Sequence, residues 1–160
     1  MNKKLLNLLE RNARATVSDL ATMLGLEKEE VIKDIKEMEE SGLIRGYKTI
    51  VDWERLDSTY VSALIELKVT PQQDAGFEEI AKKVMKYSEV ETVYLMSGGY
   101  DLCVIVKGKT FQEVAMFVGR VLAPMKNVIS TATHFVLRRY KEMDIVLCGD
   151  EDDDRGNFCL

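Results

Sequence analysis

At 160 residues, 46% apolar and 31% charged, the chain has the makeup of an ordinary folded protein with room for one medium domain or two small ones. Its net charge is −5, yet residues 1–50 are neutral (nine Lys/Arg, nine Asp/Glu), residues 51–147 carry −1, and the last thirteen residues carry −4. This distribution excludes an overall basic field that would draw in nucleic acid, and no apolar run approaches the roughly 20 residues of a membrane-spanning helix.

The opening "MNKKLLNLL" lacks the long apolar stretch and small-residue cleavage site of a signal peptide, which points to the cytoplasm. Leu5, Leu6, Leu8 and Leu9 predict a first helix with an apolar face. Thr16 or Ser18 is placed to cap a second helix carrying Leu20, Ala21 and Leu24, and Gly25 allows a tight turn after it. A third helix is expected from Glu27 to Glu40, with Val31, Ile35 and Met38 facing inward at helical spacing. It is acidic, with seven carboxylates against three lysines. Glu29–Lys33, Lys33–Glu37 and Lys36–Glu40 stand four residues apart, so each lysine has a carboxylate within reach. Ser41-Gly42 ends this helix, and "LIRGYKTIV" reads as an extended wing. Helix, tight turn, helix and wing predict a winged helix-turn-helix over residues 1–47.

From Tyr60 the apolar period becomes two. Val61, Ala63, Ile65, Leu67 and Val69 alternate with Ser62, Leu64, Glu66 and Lys68, and Pro71 stops the strand. Phe77, Ile80, Ala81, Val84 and Met85 then predict a helix to about Tyr87. Two strands follow, "ETVYLMS" and "DLCVIVKG", joined at Gly98-Gly99-Tyr100, where paired glycines would supply the positive φ of a short loop. A helix through Phe111, Val114, Ala115, Val118 and Leu122 ends at Pro124, and a last strand is expected from Val128 to about Tyr140. The order βαββαβ over residues 60–141 is the ferredoxin-like plan, so the chain is α+β, its two domains joined by a β-linker over 48–59. Both helices cover one face of that sheet. On the other, Leu64 and a final-strand face of Val128, Ala132 and Val136 would stay bare in a monomer, so a homodimer pairing sheet to sheet is expected.

Residues 148–160 are acidic and aperiodic and are expected to be disordered. Cys103, Cys148 and Cys159 lack metal-type spacing and read as reduced thiols. Trp53 could pack within its own chain or anchor a partner strand. The lone histidine, His134, reads as a surface or interface residue. No cofactor, metal site or catalytic constellation is expected.

Four stretches, "LLNLLERNARATVSDLATMLGL", "EMEESGLIRGYKTIVDWERL", "YLMSGGYDLCVIVKG" and "VISTATHFVLRRYK", occur in this order, and through them the chain resembles the Lrp/AsnC ("feast/famine") transcription regulators over residues 1 to about 141. The resemblance implies DNA binding, dimers that assemble further to octamers, and response to a small molecule, commonly an amino acid. It also implies that "SGGYD" lines an effector pocket between dimers. There Gly98 and Gly99 could bring NH groups to an α-carboxylate, with Tyr100 in the same loop, while Asp101 accepts from an α-ammonium. Thr131 and Thr133 could add hydroxyls. Phosphate contacts are expected from Lys28, Lys33, Lys36, Arg45, Lys48 and Arg14. Related regulators start the third helix with serine and carry arginine near its middle, where this chain has Glu27 and Asp34. That departure raises two alternatives: a ligand sensor or interaction scaffold with degenerate DNA binding, and an enzyme resembling siroheme decarboxylases, which share both modules.

Overall fold

The computed structural model describes residues 2–55, 60–71 and 76–147. The acidic segment 148–160, with Cys148 and Cys159, and residues 56–59 of the expected linker lie outside the described residues. The chain divides into two compact units, Met1–Thr49 and Ile50–Leu160.

The first unit holds α1 (Lys3–Arg11), α2 (Val17–Leu24) and α3 (Lys28–Glu40). Side chains cap the first two of them. The Asn2 carboxamide oxygen accepts the Leu5 N–H at 3.1 Å, satisfying one of the free donors of α1. Thr16, not Ser18, caps α2: its hydroxyl oxygen accepts the Asp19 N–H at 3.1 Å, and the Asp19 carboxylate accepts the Thr16 N–H at 3.4 Å. Ser18 could not close that reciprocal box, because Ala21 stands three residues after it. Gly25 leaves α2 at φ 65°, a left-handed conformation that aims the chain into α3. Leu5, Leu9, Leu20, Ala21, Val31 and Met38 meet as the core, with Ile35 at its margin. Beyond α3, Gly42 (φ 72°) turns the backbone so that its N–H reaches Glu39 O and the Ile44 N–H reaches Met38 O, both at 3.0 Å. Residues 43–52 form no strand within this chain, and Trp53–Arg55 make a 3₁₀ turn.

The second unit runs β1 (Val61–Val69), α4 (Glu78–Val84), β2 (Val90–Leu95), β3 (Leu102–Gly108), α5 (Phe111–Phe117) and β4 (Val128–Phe135). Its antiparallel sheet has the order β2-β3-β1-β4, the ferredoxin-like arrangement. Ala63, Ile65, Leu67 and Val69 on β1 and Leu102, Val104 and Val106 on β3 pack against Ile80 and Val84 of α4 and Val114 and Phe117 of α5. A Cβ on Gly108 would lie 3.0 Å from Val114 Cγ2, so glycine ends β3 where α5 crosses closely. After α5 the helix loosens into a π-helix, Val118–Leu122.

Pairing register assigns each side chain to a face. Leu95, Leu102, Leu67 and Thr131 form one row on the helix-covered face, and Val93, Val104, Ile65 and Thr133 form the next. The open face carries Leu64, Glu66, Cys103, Ile105, Ala132 and His134. Val128 does not join Ala132 there as the alternation predicted. The register shifts between Lys68 and Val69, so Val128 pairs with Val69 and packs on the core.

Two boundaries also differ from the predicted ones, and one hairpin was not predicted. α4 stops at Val84, leaving Met85 exposed. β4 stops at Phe135, so Arg138 and Arg139 are not strand neighbours. Arg139 instead lies over the Tyr60 ring at 4.9 Å, and Trp53 meets that ring edge-on at 5.9 Å. Then β5 (Lys141–Glu142) and β6 (Ile145–Val146) form an unpredicted hairpin, turning through Met143 (φ 44°) and Asp144 (φ 66°). Two successive positive φ values suit such a turn, but Met-Asp lacks the Asn-Gly signature that would have announced it.

Candidate DNA-reading and effector-binding sites

On α3 the expected pairing is two-thirds realised. Lys33 Nζ lies 3.8 Å from Glu37 Oε1 and Lys36 Nζ lies 3.7 Å from Glu40 Oε1, whereas Glu29 makes no such pair with Lys33. Both pairs are solvent-exposed and worth about 0.3–0.5 kcal/mol each, so a phosphate can displace either. Lys28 has no carboxylate partner among the described residues. Glu27 occupies the N-cap position without making a side-chain cap bond, leaving the first α3 donors unmatched by it. Glu39 is drawn away from the lysines, accepting the Tyr47 hydroxyl at 2.9 Å. Burial, then that bond and the Glu39 charge, push the Tyr47 pKa above its ordinary 10.0. Arg45 lies exposed over Gly42, Lys48 is exposed three residues later, and Arg14 is exposed ahead of α2.

The loop between β2 and β3 is closed by Asp101. Its N–H donates to Leu67 O at 3.0 Å, its carbonyl accepts the Met96 N–H at 2.8 Å, and its carboxylate Oδ2 accepts the Val69 N–H at 2.8 Å. One carboxylate oxygen is therefore committed to the end of β1. Gly98 and Gly99 were expected to supply positive φ, but neither does; the sharp reversal is carried by the Asp101 bonds instead. A Cβ at either glycine would meet nothing within 4 Å. Within one chain, neither turn geometry nor packing requires glycine at these two positions.

Tyr100 lies near Cys103 and Glu66 of the open face. Burial, followed by the nearby Cys103 and Glu66, raises the Tyr100 pKa, and burial chiefly raises that of Cys103. Thr131 and Thr133 lie on the opposite, helix-covered face of β4, two strand spacings from β3, or about 10 Å. The structure thus gathers Gly98, Gly99 and Asp101 in one loop and separates both threonines from the Tyr100 side chain.

Two features had no signal in the sequence pattern because they depend on cross-strand register. His134 Nε2 lies 3.3 Å from Glu66 Oε1 on the open face, where Glu66 stands opposite Cys103. Ser62, on the same face of β1, is buried with no partner for its hydroxyl among the described residues. A groove of about 330 Å³ also runs along α5, floored by Val106, Val114 and Phe117 with Glu89 and Arg120 among its lining. Among the described residues no three metal-ligating side chains converge, and no helix is long and apolar enough to cross a membrane.

Comparison with known proteins follows this division. The family model described as "Lrp/AsnC ligand binding domain" matches residues 62–146, and one for a "winged helix-turn-helix DNA-binding" domain matches residues 2–45. The HTH-type transcriptional regulator YugG of Bacillus subtilis is 39% identical over 95% of this chain and 92% of its own length. The proline dehydrogenase transcriptional activator of Rhodobacter capsulatus is 29% identical over 89% of this chain and 92% of its own. Among solved structures, the transcriptional regulator NMB0573 of Neisseria meningitidis in complex with L-Met superposes with a TM-score of 0.70 at 24% identity, covering 89% of this chain and 93% of that one.

Proposed function

The chain belongs to the Lrp/AsnC family of transcriptional regulators, and we propose that it is a cytoplasmic homodimer whose DNA binding responds to an amino acid. It is a DNA-binding regulator with a ligand-binding domain, in a family that is not enzymatic, which removes the decarboxylase-like expectation. In this reading Lys28, Lys33, Lys36, Arg45, Lys48 and Arg14 supply phosphate contacts, and paired helices meet half-sites about 34 Å apart or multiples of that.

The observation that carries the effector reading is the state of Gly98 and Gly99, which satisfy no conformational or packing need within one chain. Their bare backbone leaves room for an α-carboxylate to approach the loop NH groups. Asp101 still has Oδ1 for an ammonium after Oδ2 accepts from Val69. Thr131 and Thr133 would join the same molecule over the end of β1, or from another copy in an octamer. Leu64, Ile105, Ala132 and Tyr94 make the open face apolar enough to pair with a second sheet. NMB0573 holds L-Met, which makes methionine and its relatives the first ligands to try.

Calorimetry of the intact protein against the twenty amino acids tests the effector. Saturable heat with one of them, lost in Gly98→Val, is the expected result, and silence from all twenty would sink it. Sedimentation at micromolar concentration tests the dimer, which a monomer value would remove. One observation favours the scaffold reading: two of the three α3 lysines sit in ion pairs. Binding to the promoter of the protein's own operon across a salt series separates the readings, since a DNA reader gives a steep slope and a sequence preference.

A further inference from the structure

We infer that Ile32 is a base-reading residue, the apolar centre of a Lys28–Ile32–Lys36 stripe that enters the major groove and touches the 5-methyl group of thymine. The inference rests on the DNA-binding reading and adds to it which face of α3 reads and what it reads. At about 100° per residue, Lys28, Ile32 and Lys36 fall about 60°, 100° and 140° from Val31, on one side of the core-facing line. Glu37, Glu30 and Asp34 fall about 240°, 260° and 300° from it, on the other side. Glu39 and Glu29 fall about 80° and 160° from it, among the lysines, so the helix is sorted by charge only in part, a feature that a count of its carboxylates conceals. Glu30, Asp34 and Glu37 can face away from DNA while Lys28 and Lys36 meet the phosphates, and Glu39 on their side is engaged by the Tyr47 hydroxyl.

Ile32 stands out on that flank. It is 53% exposed, it is not among the residues of the N-terminal core, and it sits between two exposed lysines one turn either side. An exposed isoleucine here brings no hydrogen-bonding group, so it cannot read guanine, adenine or cytosine edges. The thymine methyl is the one apolar group that the major groove offers it. Its position in the N-terminal half of α3 is where a recognition helix contacts base edges. Lys28, without a carboxylate partner, and Lys36, in a weak exposed pair, frame it as phosphate contacts.

The test begins with selection of a preferred duplex by the full-length wild-type protein from a random pool. Each thymine of that duplex is then replaced singly by uracil, which lacks only the 5-methyl group. The expected result is one thymine per half-site whose replacement weakens wild-type binding about fourfold, the worth of one buried methyl. The same replacement should leave Ile32→Ala unaffected. Circular dichroism and a urea midpoint confirm that the exposed variant folds, and Ile32→Val, a smaller change, should keep part of the uracil penalty. If Ile32→Ala shows wild-type sensitivity at every thymine, the inference is overturned while DNA reading stands. If Ile32→Ala alters sedimentation but not DNA binding, Ile32 belongs to a contact between copies and the inference is again overturned. If the wild type selects no sequence at all, the DNA-reading proposal fails and takes this one with it.

Discussion

Among the described residues, the N-terminal unit holds three helices around six buried side chains, whereas the C-terminal unit packs thirteen around its sheet and two helices. The smaller core is supplemented by local chemistry: Asn2 and Thr16 cap helix starts, and Gly25 and Gly42 shape helix ends. In the larger unit Thr110 caps α5, but α4 begins at Phe77 with no side-chain cap and is fastened by Ile80 and Val84. Short-range bonds thus carry a share of order in the first unit that long-range burial carries in the second. The helix-turn-helix depends on residues close in sequence, and the sheet on residues up to tens of positions apart.

The sharpest way to break that contrast is to cut the sheet's core. Ile65→Ala removes a fully buried side chain from the central strand and should cost about 2–5 kcal/mol, read as a lower urea midpoint. A cost below that of Thr16→Ala would invert the comparison. Next in size, Asp101→Ala leaves the Val69 N–H without its acceptor and should cost about 1–3 kcal/mol. Asp101→Asn keeps a side-chain oxygen and should recover most of the loss. Thr16→Ala deletes the α2 cap and should cost about 1 kcal/mol, with amide exchange accelerating in the N-terminal unit and unchanged in the sheet. The smallest effect is a pH dependence. The Cys103 pKa is raised by burial, so its neutral thiol favours the fold below the ordinary value of 9.0, and that contribution is lost as pH climbs through the raised value. Melting temperature should therefore fall more steeply above pH 9.0 in wild type than in Cys103→Ala.

The same contrast explains what could be read from the sequence. Helix periodicity, the choice between two caps and the strand alternation all depend on neighbours within a few residues, and the element order follows from them. The register slip beside Val69 depends on a partner strand about sixty residues away, so the alternation alone put Val128 on the wrong face. The β5–β6 hairpin escaped notice because Met143 and Asp144 adopt left-handed conformations that their residue types do not advertise. At the sites, the glycine pair and Asp101 were visible, but the work of each was not. The turn is held by carboxylate and backbone bonds to β1, which no local pattern encodes. Ile32 was hidden for a simpler reason: its neighbours Val31 and Ile35 set an apolar face, and only the helix's packing shows that Ile32 falls outside it.

The open space around Gly98 and Gly99 also bears on how such a regulator can change over time. A loop tip whose two glycines answer to no fold requirement can accumulate substitutions without a stability threshold intervening. The pair of β1 bonds from Asp101 keeps the loop's ends fixed while its tip varies. New small-molecule preferences could then arise on an unchanged sheet, so divergence of the signal sensed need not await compensating mutations in the core.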